Sequence, residues 1–217
     1  MPLFEIKHRY TGSVLFSLEC GSMKLCIETA VKGSADLSSA DLSSADLSSA
    51  NLSSADLNSA DLRFADLRFA DLNSANFRSA NLSSADLNSA DLRFADLRFA
   101  DLNSANLRFA DLRFADLNSA NFRSAKWPRD AVVLHPPVII TGLRWYIMLF
   151  GSHLQIGCEL HSVAEWDAFD DEMISRMDSR ALAWWKKNKV RILAFRDLEA
   201  ERQFAEKQAT PEEPVTA

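Results

Sequence analysis

Basic charge, cysteine, glycine and long apolar runs are all scarce in this chain. Across 217 residues, 24 Lys and Arg stand against 30 Asp and Glu. There is therefore no broad basic surface for phosphates and no polybasic patch for a lipid headgroup, and direct nucleic-acid binding is disfavoured. The three cysteines, Cys20, Cys26 and Cys158, are too few and too scattered for a disulfide framework and suit a reducing cytosol. Six glycines leave little room for a phosphate-cradling loop, and neither a Walker lysine nor a nucleophile elbow is present. The longest apolar run, Trp145 to Phe150, is six residues and cannot cross a bilayer. The start, Met1 to Lys7, lacks a basic region followed by a long apolar stretch, so a cytoplasmic location is expected. No cofactor is called for. What the chain does have is 47% apolar residues, enough for a core.

Those residues are arranged with an unusual period. From Ala35 to Ala125 an alanine recurs at every fifth position, giving 18 complete pentapeptides. The second position is Asp 13 times and Asn five times, and the third is Leu 16 times and Phe twice, at Phe77 and Phe122. The fourth is Ser, Asn or Arg and the fifth Ser or Phe. A period of five matches neither the 3.6 of a helix nor the 2 of a strand, so one continuous element of either kind would smear Leu over every face. The chain must turn once per repeat, with Ala and Leu pointing to a common axis and stacked coils burying one apolar column. A disordered low-complexity tract would not carry large apolar residues in register.

The pattern A(D/N)LXX closely resembles the pentapeptide-repeat family. That resemblance implies an all-β fold class: a right-handed quadrilateral parallel β-helix of about 4.5 coils, roughly 22 Å long at a strand spacing of ~4.8 Å, with small α+β flanking segments. Within it, residues 51–76 recur unchanged at 81–106. The offset of 30 residues is 1.5 coils, which disperses the copied outward residues around the solenoid.

The flanks divide the rest. Residues 1–34 read as an N-terminal cap: two short strands, Leu3 to Ile6 and Val14 to Leu18, around Tyr10-Thr11-Gly12-Ser13, then an amphipathic helix from Ser22 to Val31. Residues 35–127 are the solenoid. Residues 128–209 open with a connector marked by Pro128, Pro136 and Pro137. A β-hairpin of Ile139–Phe150 and Leu154–Glu159 follows, then a helix begun by Ser162 and Glu165 at capping-box spacing, and a longer helix from Ser179 to about Lys207. Residues 210–217 are expected to be a disordered tail. Glu28-Thr29-Ala30-Val31-Lys32 and Gly142-Leu143-Arg144-Trp145 are similar to flanks of uncharacterised pentapeptide-repeat proteins of bacteriophages and prophages.

No catalytic set emerges, and the chain is expected not to be an enzyme. Cys158-x-x-His161, with His153 and Glu159 nearby, has metal-ligand spacing but no evident fourth ligand, so a structural hairpin is the preferred reading and no metal is expected. Asp170, Asp171 and Glu172 read as acids in a first helical turn. Trp184 and Trp185, with Leu182, Val190, Leu193 and Phe195, read as a packing face.

Two outward patterns are the candidate functional surfaces. The first is acidic. The quinolone-resistance members of the resembled family present a rod of negative charge to DNA gyrase, and over ~22 Å duplex DNA carries ~13 charges. Here 13 Asp face eight Arg in the repeats, for a net of −5 spread over the four sides, and the uneven feature is axial: the first five units hold Asp36, Asp41, Asp46 and Asp56 with no Arg. The second is aromatic: Phe64, Phe69, Phe94, Phe99, Phe109 and Phe114 occupy outward fifth positions. Phe94 and Phe114 lie one coil apart, so they should stack, with Arg93 and Arg113 beside them, while Phe109 lies on the neighbouring face. Aromatic and arginine side chains on a rigid surface have the composition of protein-binding hot spots. The expected function is a non-enzymatic protein-interaction scaffold serving an unknown protein partner or a second copy. A DNA mimic acting on gyrase or topoisomerase and a secreted bacterial effector are the alternatives.

Overall fold

The computed structural model describes residues 1–128, 137–140, 143–157 and 159–194. The chain divides into two compact units, Met1–Pro136 and Pro137–Ala217.

In the first unit, parallel bridges join second-position residues 20 apart, from Asp41↔Asp61 to Asn106↔Lys126. One coil therefore takes four pentapeptides. The repeat Ala65-Asp66-Leu67-Arg68-Phe69 shows how the motif satisfies its backbone. The Ala65 N–H donates to Leu62 O at 3.1 Å, closing a β-turn. Asp66 N–H donates to Ala45 O of the preceding coil, and Leu67 and Phe69 N–H donate to Asp86 O and Asn88 O of the next, at 3.0, 2.8 and 3.0 Å. The remaining N–H, that of Arg68, finds no carbonyl and donates instead to Asp66 Oδ1 at 3.1 Å. Asn does the same where it replaces Asp, as from Arg78 N–H to Asn76 Oδ1. All five amide donors are thus paired, which a buried backbone requires.

The turn places its fifth-position residue at φ between 55° and 63° throughout the repeats, in the left-handed region, while no fourth-position residue shares it. That combination is the signature of a type II turn, which favours Gly or Asn at that point. Here it is filled by Ser and Phe. The Leu column is sealed: no third-position side chain is more than 4% exposed, Phe77 and Phe122 included. At the C-terminal end Trp127 packs on Phe122, ring centroids 5.4 Å apart, and is 1% exposed.

The N-terminal end is closed by β1 (Leu3–His8), β2 (Val14–Glu19) and α1 (Met23–Lys32). Strand β1 pairs with β2 on one side and with β3 (Ala40–Asp41) of the first coil on the other, both antiparallel. Helix α1 is N-capped by Ser22 and buries Cys26, Ile27 and Ala30. First-coil groups with no earlier coil to bond find partners here. Asn51 N–H donates to Glu28 Oε1, and Ser48 O accepts from Lys24 Nζ, each at 2.9 Å.

In the second unit, β4 (Val138–Ile140), β5 (Ile147–Phe150), β6 (His153–Ile156) and β7 (Glu159–Ser162) form an antiparallel sheet in sequence order. The expected hairpin is corrected on this point: the apolar stretch Ile139–Phe150 is two strands, and Leu154–Glu159 divides between β6 and β7, because a bend at residues 143–145 and Gly157 at φ 62° interrupt them. Helices α2 (Val163–Ala168), α3 (Asp171–Met177) and α4 (residues 181–194) follow. Ser162 and Glu165 form the anticipated capping box, and Asp170 caps α3. The core gathers Ile147, Leu149, Leu154, Trp166, Ile174 and Trp185. Val190, assigned from sequence to a packing face, is instead 81% exposed. Phe195, the remainder of the long helix to Lys207 and the tail 210–217 lie outside the described residues.

Candidate interaction surface

The six fifth-position phenylalanines are all exposed, between 53% and 71%. A left-handed backbone at a residue with a bulky side chain is sparsely populated, and it points each ring outward from the turn. Phe94 and Phe114 stack as their spacing predicts, with centroids 5.0 Å apart and planes 10° from parallel. Phe99 is covered by the Arg78 guanidinium, 5.3 Å from its centroid. Phe69 and Phe109 are 40 residues apart, two coils on one side with Ser89 between them, and Phe64 stands on another side.

Arginine at the fourth position is held by the acid two residues before it. Arg93 Nε donates to both carboxylate oxygens of Asp91 at 2.8 and 3.0 Å and lies 3.8 Å from Asp111 of the next coil. Arg113 grips Asp111 in the same way. The two guanidinium groups flanking the phenylalanine stack are therefore fixed in orientation. Hydrogen bonds from Arg93 hold the Asp91 carboxyl below the usual carboxylate range, and Asp96 and Asp66 are lowered likewise by Arg98 and Arg68.

The candidate acidic end is less bare than its sequence implied. Asp36, Asp41, Asp46 and Asp56 are exposed, and each lends its Oδ1 to the N–H two residues on. Hydrogen bonds from Ser38 and Ser48 lower the Asp36 and Asp46 carboxyls. Cations of the cap reach this end: Lys24 bonds Ser48 O, and Arg9 bonds Ser59 O while standing 3.7 Å from Asp61. Asp61, which sequence reasoning passed over, is 4% exposed and is gripped by Arg63 at 2.7 Å as well. Its signal would have been an arginine at the hairpin turn facing a coil's second position, a pairing that only the folded register reveals.

Among the described residues no group of His, Cys, Asp and Glu is placed to hold a metal. His161 packs edge-on to Trp166 and Phe169 with its Nε2 3.5 Å from Glu159, and Cys158 lies outside the described residues. No helix among the described residues is long and apolar enough to cross a membrane.

The model of pentapeptide repeats matches residues 35–73, 60–98 and 90–126, with eight copies. Residues 35–126 of this chain belong to the pentapeptide-repeat family. Solved structures similar to this pentapeptide-repeat chain include a thylakoid-lumen protein of Arabidopsis thaliana, 30% identical over 42% of this chain and 63% of that one, TM-score 0.41. Rfr23 of the cyanobacterium Cyanothece 51142 is 36% identical over the same shares, TM-score 0.41. HetL of Nostoc sp. strain PCC 7120, involved in heterocyst differentiation regulation, is 33% identical over 46% of this chain and 56% of that one, TM-score 0.26. The chain thus spans less than two thirds of each. No curated protein matches it in sequence.

Proposed function

We propose that this pentapeptide-repeat chain is a non-enzymatic, cytoplasmic interaction scaffold. Its solenoid offers the Phe94–Phe114 stack, flanked by Arg93 and Arg113, to a protein partner or a second copy. The observation that carries the reading is the stack itself: two parallel rings, each more than half exposed, on a backbone whose hydrogen bonds leave it little freedom. Serine serves the same turn elsewhere, so the turn does not demand phenylalanine, and exposed paired aromatics beside oriented guanidiniums suit a partner's apolar anchor. The remaining phenylalanines, Phe64, Phe69, Phe99 and Phe109, would extend or flank that contact.

A DNA-mimic reading is not favoured. The carboxylates of Asp61, Asp66, Asp91, Asp96 and Asp111 are each neutralised by the arginine two residues on, and the cap adds cations at the N-terminal end, Arg9 beside Asp61 and Lys24 on the Ser48 carbonyl.

Replacing Phe94 and Phe114 together by Ser keeps a residue the turn accepts. The variant should match the parent in thermal unfolding yet lose self-association in sedimentation, or lose one specific protein from a bacterial-lysate pull-down. Unchanged association in both assays overturns the scaffold reading at this surface.

A further inference from the structure

Of the five tryptophans, Trp127 closes the solenoid and the other four lie in the second unit, where they line a single cavity of about 120 Å³. Trp145 and Trp184 meet at a right angle, centroids 4.8 Å apart, and Trp166 and Trp185 lie 5.2 Å apart at 42°. Two features fix the walls. The Trp166 Nε1–H donates to Leu154 O at 2.7 Å, which sets that ring's plane. Trp145 rests on Gly157, where a Cβ would come within 3.3 Å of its Cδ1.

The chemistry of this lining has one sign. Indole faces are negative, and the lining includes Glu159 and Asp178, whose carboxylates also lie 3.5 Å from His161 Nε2 and 3.9 Å from Arg180 Nε respectively, while no Lys, Arg or His is itself among the lining residues. The chain's own cations already use two of these rings: Arg144 lies 5.1 Å over Trp145 and Lys189 5.9 Å over Trp185, and neither lines the cavity. Size narrows the ligand further. A cavity of about 150 Å³ takes benzene, so this one suits a compact head group and not an extended molecule. Aliphatic surface between the indoles favours methyl groups over a hydrated primary ammonium.

We propose that the second unit carries an aromatic cage for a trimethylammonium head group, walled by Trp145, Trp166, Trp184 and Trp185 and rimmed by Glu159 and Asp178. It is independent of the solenoid surface. The head group's two sources, a small molecule such as choline or a trimethylated lysine of another protein, share this chemistry.

The test follows the five indole N–H cross-peaks of the full chain by NMR during titration with choline, a trimethyl-lysine peptide and 3,3-dimethylbutan-1-ol, the uncharged isostere of choline. Choline should shift cage indoles at millimolar concentration, while Trp127 stays fixed and the alcohol has little effect. A peptide that binds more tightly than choline would assign the head group to a protein side chain, and choline binding as well as the peptide would assign it to the small molecule. Trp184→Leu should weaken choline about ten-fold, and Glu159→Gln, whose carboxylate is half-exposed, about three-fold. An equal response to the alcohol, or none to either cation, overturns the cage. The alcohol comparison and the Glu159 variant stand even if Trp184→Leu fails to fold.

Discussion

Replacing Asp61 tests whether the second-position carboxylate acts as a turn acceptor, as a buried ion-pair partner, or as both. Its Oδ1 accepts the Arg63 N–H at 3.1 Å, and its two oxygens take the Arg63 guanidinium at 2.7 to 3.0 Å with Arg9 beside them. Asp61→Asn keeps the turn acceptor and removes the charge. Hydrogen bonds to charged groups contribute about 1.5–3 kcal/mol, but the Arg63 side chain is 47% exposed and can turn to water, so a loss of about 1–2 kcal/mol is expected. Asp61→Ala removes the acceptor too and adds about 1 kcal/mol, for about 2–3 in all. Asp56→Asn, at an exposed position with no arginine two residues on, should leave the midpoint unchanged. Urea unfolding gives the magnitudes, and hydrogen exchange over residues 3–19 shows whether the loss falls on the cap that Arg9 anchors. Equal costs for Asn and Ala at 61 would refute the turn-acceptor reasoning. Costs no larger than at Asp56 would refute the clamp.

Acid should weaken the solenoid. Burial pushes the Asp61 carboxyl up, but hydrogen bonds from Arg63 and the charges of Arg63 and Arg9 bring it below its ordinary value, and the arginine partners lower Asp66, Asp91 and Asp96. Folded values below the unfolded ~3.9 mean that the stability is present above about pH 4 and lost as pH falls through the folded values. A urea midpoint that is flat from neutrality to about pH 5 and then drops fits this, whereas a decline beginning near pH 6 does not. Leu97→Ala empties a fully buried site between Phe77 and Leu117 and should cost about 3–5 kcal/mol by urea unfolding; a loss under about 1 kcal/mol would mean that the column collapses to fill it. Gly157→Ala combines a positive φ with a Cβ 3.3 Å from Trp145, so the Trp145 indole resonance should move and the second unit should melt earlier. An unmoved resonance would show that the ring does not rest on Gly157.

The coil was legible because a five-residue period admits few solutions, and the stack of Phe94 on Phe114 followed from their separation alone. The Asp/Asn column was read chiefly as charge. Its common denominator is Oδ1, present in both residue types, and the amide it serves is apparent only once the turn leaves that N–H without a carbonyl. The second unit misled through composition: Ile139 to Phe150 is apolar enough to hide the bend at residues 143–145. Val190 fell on the exposed side of α4 because aliphatic character alone does not set a helix's phase. Trp184 and Trp185 were seen as packing residues, and Trp185 is one, yet packing and lining a cavity are compatible when the rings meet edge to face.

The mismatch between a ladder that joins residues 20 apart and a recurring block offset by 30 makes chain length a rotary setting. Inserting four pentapeptides would lengthen the spool and return the chain to the same azimuth. Inserting six adds half a revolution, so the strand leaving the last coil faces the opposite way from its present direction. The count of pentapeptides modulo four, more than their number, thus decides the direction in which anything fused beyond Trp127 sets out.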